Sequence, residues 1–556
     1  MMKAELIVEN ARVLTMDPSR PRADAVALRG GSILAVGGRD ELAAFASPTT
    51  RRIDAGGASV LPGFVDSHIH LFPGGAQLKS LSLAGVTGFA AIAAAVRERA
   101  AAEPETRVLI VEQAAYMMFG ENQPMTRQVL DAILPDRPLA LFASDHHTMW
   151  ANTAALDAAG ILHGHAAPLG SEVVMGSDGL ATGELREFEG FAPITALTPT
   201  GGREMLGLTG NEPTTPPTDA QRNADKEVMR HALAYCASLG ITSFHNMDGN
   251  FYQLELLGEI EQAGEMIVRG RVPFRMVPNR PLSDLEIAVE MRRRWNSDRL
   301  KGDFVKIFMD GVVESTTAHM FEDYCGLPGE RGYSFFGQDE FDAICIEADK
   351  HGLQIAVHAI GDAAVNRTLN GYDAARRANG VRDSRHRIEH IEMLLPADLA
   401  RFAEMGVIAS MQPTHAPGGY YPSEPILSMV GRDRMATGYA WETIRRTGAQ
   451  LVFASDWPVA PLDPLLGIKT AMTRQPAFEG APDERQTLHN SIAGFTSDGA
   501  FTEFAEASKG SLRPGAVADI VILDGDIEAT RPEDIDGLNL AATICGGRVT
   551  YERGAS

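Results

Sequence analysis

The sequence is short of cysteine, of positive charge and of long apolar runs, and each shortage removes a class of function. Its four cysteines, Cys236, Cys325, Cys345 and Cys545, stand far apart with no C-x-x-C pair. That spacing fits neither a disulfide framework nor a structural zinc knuckle, and it suits a reducing compartment. Lys and Arg number 50 against 73 Asp and Glu, a net charge of −23. A field of that sign repels phosphate backbones and anionic lipid, so neither nucleic acid nor a membrane surface is an expected partner. No apolar run reaches the roughly 18 residues of a membrane span. The opening MMKAELIVENARVL alternates apolar and polar residues without a signal-peptide core, and the expectation is a cytoplasmic protein. A G-x-S-x-G nucleophile elbow and an early G-x-G-x-x-G are both absent, which disfavours a serine hydrolase and a doubly wound dinucleotide fold.

What is present is an ordinary globular composition, 44% hydrophobic and 22% charged over 556 residues. At about 150 residues per domain the length suits two to four domains, or one large barrel with additions. The two ends resemble each other: short β-rich runs surround Gly30-Gly31 near the start and Gly546-Gly547 near the end. Gly-Gly supplies the positive φ of a tight hairpin turn, and a single small β-sandwich built from both termini is expected. Between about residues 60 and 500, apolar runs alternate with helical stretches: LPGFVDSHIH, GITSFHNM, VPFRMV, DFVKIFMDG, LQIAVHAIG, RHRIEH, GVIASMQP and QLVFASD. Runs of this kind suit parallel strands buried on both faces, and eight of them with intervening helices is the count of a closed (β/α)8 barrel. From His70 to Ile241 there are about 170 residues where a βα unit needs roughly 30, so an insertion with strands of its own (VLIVEQ, PLALFASD) sits there. The expected fold is α/β: a distorted (β/α)8 TIM barrel over 59–500, an insertion at about 72–235 covering the active site, and a β-sandwich from 1–58 and 501–556.

The chemistry-bearing residues fall at strand ends. In Asp66-Ser67-His68-Ile69-His70 the two histidines are two apart, so on a strand both face one side and can share a metal ion. His358 ends LQIAVH, His390 ends RHRIEH and Asp456 ends QLVFASD, and polar residues at barrel strand C-termini converge on the mouth. Lys306 lies inside DFVKIFMDG, where burying an unpaired lysine is costly. A protonated ammonium has no lone pair for a metal, but a carbamate formed with carbon dioxide offers two oxygens able to bridge two cations.

LPGFVDSHIH, VKIFMDG, AVHAIGD, RIEH, FASDWPV and the closing GSLRPGAVADIVILDGD together resemble the amidohydrolase superfamily. The similarity is to its YtcJ-like branch, which includes N-substituted formamide deformylases, and it runs over nearly the whole chain in the expected order. The resemblance implies that His68 and His70 bind one metal, that carboxylated Lys306 bridges to a second held by His358 and His390, and that Asp456 binds the first ion and handles protons. DHHTMWAN resembles the branch's D-G-H-x-x-W-x-N stretch, with His147 on the matching histidine, and GLATGELRE its T-G-x-L-x-E segment. These place His147 and Arg186, together with Trp457, as candidate substrate-binding residues. After Asp310-Gly311 the branch usually continues with Ser, whereas this chain has Val312-Val313-Glu314.

The implied activity is a metal-dependent hydrolase cleaving a non-peptide C–N bond, an amide or formamide on a small apolar-substituted substrate, by metal-activated hydroxide. Asp456 would be base and then acid. Met117, Met118, Phe119, Trp457 and the GGYYP run at 418–422 are candidates for an apolar pocket wall or for ordinary core. Zinc suits the nitrogen-rich ligands, manganese or iron the mixed set, with one or two ions per chain. An esterase, lactonase or cyclic-amide hydrolase, or an isomerase or decarboxylase on the same site, stays open, as does a homo-oligomer.

Overall fold

The computed structural model describes residues 2–120, 124–144, 146–167 and 170–554. The chain divides into two compact units: the first comprises Met1–His70, Arg230–Met247 and Leu257–Ser556, the second Leu71–Met229 and Asp248–Leu256.

In the first unit the expected barrel strands are parallel and fall into two sheets. One runs in the order Leu300–Lys301, Arg269–Arg271, Ile241–Asn246, Phe64–Ile69; the other Phe274–Arg275, Phe304–Phe308, Gln354–Ala359, Arg387–His390, Ile408–Met411, Leu451–Phe453. The third strand breaks at Val272-Pro273: Arg269–Arg271 lies ahead of the expected run VPFRMV, within which only Phe274–Arg275 is strand, and each of the third and fourth strands contributes a piece to both sheets. Proline has no N–H for a ladder, so a break there is expected physically. The outer members of the two sheets, Phe64–Ile69 and Leu451–Phe453, come together just past their ends through a parallel bridge between Ile69 and Trp457. The strands are buried on both faces, which explains their continuous apolar character. The helices between them follow the periodic segments of the sequence. Gln338–Lys350, for instance, buries Phe341, Ile344, Cys345 and Ala348, carries Asp339 and Glu340 in its first turn and Lys350 in its last, a charge order that complements the helix dipole.

The termini build two further sheets. One has the order Ser32–Gly37, Ala25–Arg29, Leu6–Glu9, Arg51–Asp54; the other joins both ends of the chain as Arg548–Glu552, Leu540–Cys545, Ile520–Leu523, Ser59–Pro62, Arg12–Leu14, Arg22–Ala23. Val8, Val26, Leu28 and Ile33 from the first pack in one apolar cluster with Val13, Val60, Ile520 and Ile544 from the second. The chain leaves this region at Gly63, where a Cβ would stand 2.3 Å from the Thr242 hydroxyl; only glycine lets strand Phe64–Ile69 lie this close to its neighbour.

The second unit holds a six-stranded sheet in the order Glu172–Met175, Ala181–Arg186, Thr148–Ala151, Leu139–Ala143, Leu109–Ala114, Leu81–Ser82. Met118 and Phe119 belong to its apolar core with Trp150, whereas Met117 is half exposed. Asp145 of the DHHTMWAN stretch lies outside the described residues. Among the described residues, no helix is long and apolar enough to cross a membrane.

Candidate metal centre

Six strands of the first unit deliver polar side chains to one buried cluster. His68 and His70 leave the first strand on the same side, as alternation requires, and their Nε2 atoms lie 3.2 and 3.3 Å from the same oxygen, Oδ1 of Asp456. The backbone fixes this register: the Asp456 N–H donates to the His68 carbonyl and the His70 N–H to the Trp457 carbonyl. His390 ends its strand with its ring 4.9 Å from that of His68 and 4.5 Å from that of His358. His390, Ile391 and Asp456 have φ of 75°, 51° and 61°. Left-handed backbone at non-glycine residues costs on the order of 1–3 kcal/mol each and persists where the surroundings impose it; here it turns two of the polar side chains inward at the strand ends.

Ligand-capable atoms of His68, His70 and Asp456 lie within 4.8 Å of one another, and so do those of His390, His415 and Asp456. His415 was not among the residues singled out from sequence. It sits in the short turn Pro413–His415 after strand Ile408–Met411, with Nε2 3.9 Å from Asp456 Oδ2 and its ring stacked 6.0 Å from that of His390. Its one signal in the sequence was a histidine two residues past the end of the seventh apolar run. His358 stands beside His390, but its Nε2 faces the Gly311 carbonyl at 3.2 Å and Asp310 at 3.8 Å, and neither group of three includes it.

The surrounding hydrogen bonds orient the rings. Nδ1 of His68 lies 2.8 Å from Glu389 Oε2, and Nδ1 of His390 2.9 Å from Gln412 Oε1. Both partner oxygens are acceptors, so each Nδ1 donates and each Nε2 keeps its lone pair, the arrangement of metal-ligating histidines. Glu389 is in turn gripped by Arg387 through Nε and Nη2. Burial pushes the pKa of His68 and His390 well below the imidazole range, and that of His415 down as well, which favours the neutral, donor form. Burial opposes ionisation of Asp456, but His68 and His70 outweigh it and hold the carboxyl below its usual range. Among the described residues, Asp456 Oδ1 and His415 Nε2 are buried without a hydrogen-bond partner, as atoms aimed at a cation would be. The donor set fits a divalent metal ion.

Lys306 is fully buried in strand Phe304–Phe308, with no hydrogen bond to Nζ among the described residues. Its Nζ lies 4.8 Å from the centre of the Phe308 ring. Burial drives its pKa down to about 7, against the pull of Glu389 and Asp456.

Of the candidate pocket residues, Trp457 is buried beside the site, its carbonyl on His70 and its ring 5.6 Å from that of Tyr235. Tyr421, from the GGYYP run, stands 6.3 Å from the His415 ring and donates its hydroxyl to the Val459 carbonyl. His147 and Arg186 belong to the second unit. There His147 Nδ1 pairs with Glu187 at 2.8 Å, and Arg186 pairs with Glu184 and Glu172 at 2.7 and 3.1 Å.

Known proteins are similar to this chain over nearly its whole length. The chain is 29% identical to YtcJ of Bacillus subtilis (strain 168) over 553 residues, covering 97% of this chain and 98% of that one. It is 26% identical to the N-substituted formamide deformylase of Arthrobacter pascens over 568 aligned positions, 99% of each chain. Its fold is similar to that of an uncharacterized metal-dependent hydrolase of Pyrococcus horikoshii, with a TM-score of 0.71, 21% identity and coverage of 95% and 98%. The Amidohydrolase family model matches residues 51–551, and the chain therefore belongs to the amidohydrolase family, the metal-dependent enzymes that hydrolyse carbon–nitrogen bonds.

Proposed function

We propose that this chain hydrolyses the C–N bond of a small, apolar-substituted amide or formamide, outside peptide chemistry. The observation that carries the reading is the convergence of His68 and His70 on one oxygen of Asp456, beside a buried lysine with no hydrogen-bond partner among the described residues. Similarity to the formamide deformylase supports this substrate class, and Trp457 and Tyr421 beside the histidines offer the apolar wall. We read the two parallel sheets as one distorted (β/α)8 barrel over 59–500 with an insertion at about 72–235, and His147 and Arg186 as substrate-binding residues. The sheets of 1–58 and 501–556 are read as one β-sandwich. The Ile69–Trp457 bridge and the shared apolar cluster support those two readings. The protein works in the cytoplasm on a small molecule.

His68, His70 and Asp456 would hold one divalent ion, zinc by the preference of imidazole, with manganese or iron fitting as well. Lys306 and His390 would hold a second, with His358 or, as the distances group them, His415. Such ions supply acidification of water and polarisation of the substrate carbonyl. Lys306 would reach its ligand form as a neutral amine: Nζ attacks the carbon of carbon dioxide, a C–O π pair moves onto oxygen, and the nitrogen passes a proton to water to leave an anionic carbamate. Asp456 accepts the proton of the attacking water and delivers it to the departing nitrogen, which would otherwise leave as an amine anion. Glu389 and Gln412 keep the His68 and His390 rings turned to the site throughout.

The test is metal content per chain together with turnover of N-substituted formamides, amides, esters and lactones. Formamide or amide hydrolysis is expected, with Asp456→Asn slowing it by roughly 10³-fold. Turnover of esters or lactones alone would move the activity to that class. A chain that takes up no zinc, manganese or iron would end the hydrolase reading.

A further inference from the structure

The two Gly-Gly turns noticed in the sequence, 30–31 and 546–547, meet each other. Added to Gly31, a Cβ would stand 3.1 Å from the Gly546 carbonyl oxygen, and on Gly547 it would stand 3.0 Å from the Gly31 Cα. All four glycines have positive φ, from 58° to 80°, so each turn needs glycine both for its backbone and for the close approach. On Gly546 a Cβ would fall 3.0 Å from Nη2 of Arg299 and 3.2 Å from Nη2 of Arg269. Two guanidinium groups therefore converge on a spot where only bare backbone lies.

That spot is the wall of a cavity of about 380 Å³, within the range of small-ligand pockets. In a chain of net charge −23, its lining runs against the trend: Arg269, Arg271, Arg299, Lys301 and Lys509 face Asp298 and Glu503. Three of these cations already have carboxylates. Arg271 is paired with Asp303 at 2.8 Å, Lys509 with Glu503 at 2.5 Å, and Arg269 with Asp519 at 3.3 Å. Arg299 donates Nη1 only to the Met266 carbonyl and the Cys545 sulfur, at 3.0 and 3.7 Å. Among the described residues, neither Arg299 nor Lys301 has a carboxylate within ion-pair distance. Two uncompensated cations and the second face of a third line a cavity roofed by glycine backbone.

We propose that this cavity is a second ligand site, for a phosphoryl group, either inorganic phosphate or a small phosphate monoester. Arginine offers forked donors that match phosphate geometry. Two positive charges balance a dianion, and the cavity has room for the organic part of an ester. The field of the whole chain repels anions, so such a site needs a local concentration of cations of this kind. The site is independent of the metal centre and of the reaction assigned to it.

The experiment is calorimetric titration of the purified, metal-loaded protein with inorganic phosphate, glycerol 3-phosphate and succinate. Saturable binding of one phosphate or phosphate ester per chain is expected, weakened about tenfold or more in Arg299→Gln and to a lesser degree in Lys301→Gln. Asp456→Asn, which alters the metal centre, should leave it unchanged. Tighter binding of the monoester than of phosphate identifies the ester as the occupant, and equal binding identifies the free ion. The proposal is overturned by binding that disappears in Asp456→Asn yet survives both pocket variants. Succinate binding alone, or no binding up to about 10 mM, overturns it as well. Lys301 is only half buried, so its variant keeps the test open should Arg299→Gln fold poorly.

Discussion

Lys306 and Lys509 are both buried in the first compact unit, and they differ in having a carboxylate at hand. Lys509 Nζ sits 2.5 Å from Glu503 and donates to the Ser243 hydroxyl. Lys306 has neither, and burial takes its pKa to about 7. The second unit repeats the contrast with the opposite charge. There Asp225 is clasped by Arg203 at 2.7 and 2.9 Å and by the Tyr252 hydroxyl at 2.5 Å. Glu112 and Glu204 are also buried, each with one carboxylate oxygen lacking a hydrogen bond among the described residues. A buried charge with its partner is architecture. One without a partner either gives up its charge or is held for chemistry the fold alone does not use.

The most damaging way to break this contrast is Lys306→Ala. If the lone lysine is a carbamate, turnover of the formamide or amide substrate should fall by roughly 10³-fold or more, and metal content should drop from about two ions toward one. Short carboxylic acids such as acetate, occupying the vacated space, should restore part of both. A variant with unchanged metal content and rate would show that Lys306 is buried for packing alone.

Lys509→Met tests the other side. It strands Glu503, so stability should fall by about 3–5 kcal/mol, read as a lower urea midpoint. Adding Glu503→Gln should recover much of that loss, because the orphaned charge goes with it. The damage should also be felt at a distance. Glu503 lies 3.6 Å from Nε2 of His245, whose Nδ1 accepts from Arg387 at 2.8 Å, and Arg387 clamps the Glu389 that orients His68. Metal affinity measured by competition with a chelator should weaken in the single variant, by up to about tenfold, and recover less completely in the double.

The sequence made half of this contrast readable. An H-x-H at a strand end, isolated His and Asp at the ends of buried runs, and a lysine inside an apolar strand are local patterns, and each lies on or just past its expected strand. The residues that orient the histidines were hidden by geometry that alternation does not carry. Glu389 and His390 are consecutive and should face opposite ways, yet both serve the cluster, because the positive φ of His390 swings its ring back. His415 belongs to a short turn beyond its strand, and its place depends on where the chain goes after Pro413. The parallel strands were legible as apolar runs; their division between two sheets was not, except for the proline that breaks the third. Lys509 gave no sign of burial, lying in the polar stretch EASKGS, since its partner Glu503 and neighbour Ser243 are supplied by tertiary structure alone.

The mildest substitution tests the acid pair. Burial, and for Glu112 the neighbouring charge of Glu204, raise these two pKa values to about 8 and about 7 from an ordinary 4.5. The folded chain thus holds both protons to higher pH than the unfolded chain does. Their contribution to stability is complete below pH 4.5 and is lost as pH rises through 7 and 8. Glutamine at both positions keeps the shape and cannot ionise. The parent and Glu112→Gln/Glu204→Gln should therefore match in stability near pH 5 and part company by pH 9, with the variant the more stable by several kcal/mol, up to about 8 for shifts of this size. Urea titrations at several pH values read the difference directly. Parallel stability curves would mean that both carboxylates are ionised and compensated at neutral pH, and the second unit would then bury its charges in one way instead of two.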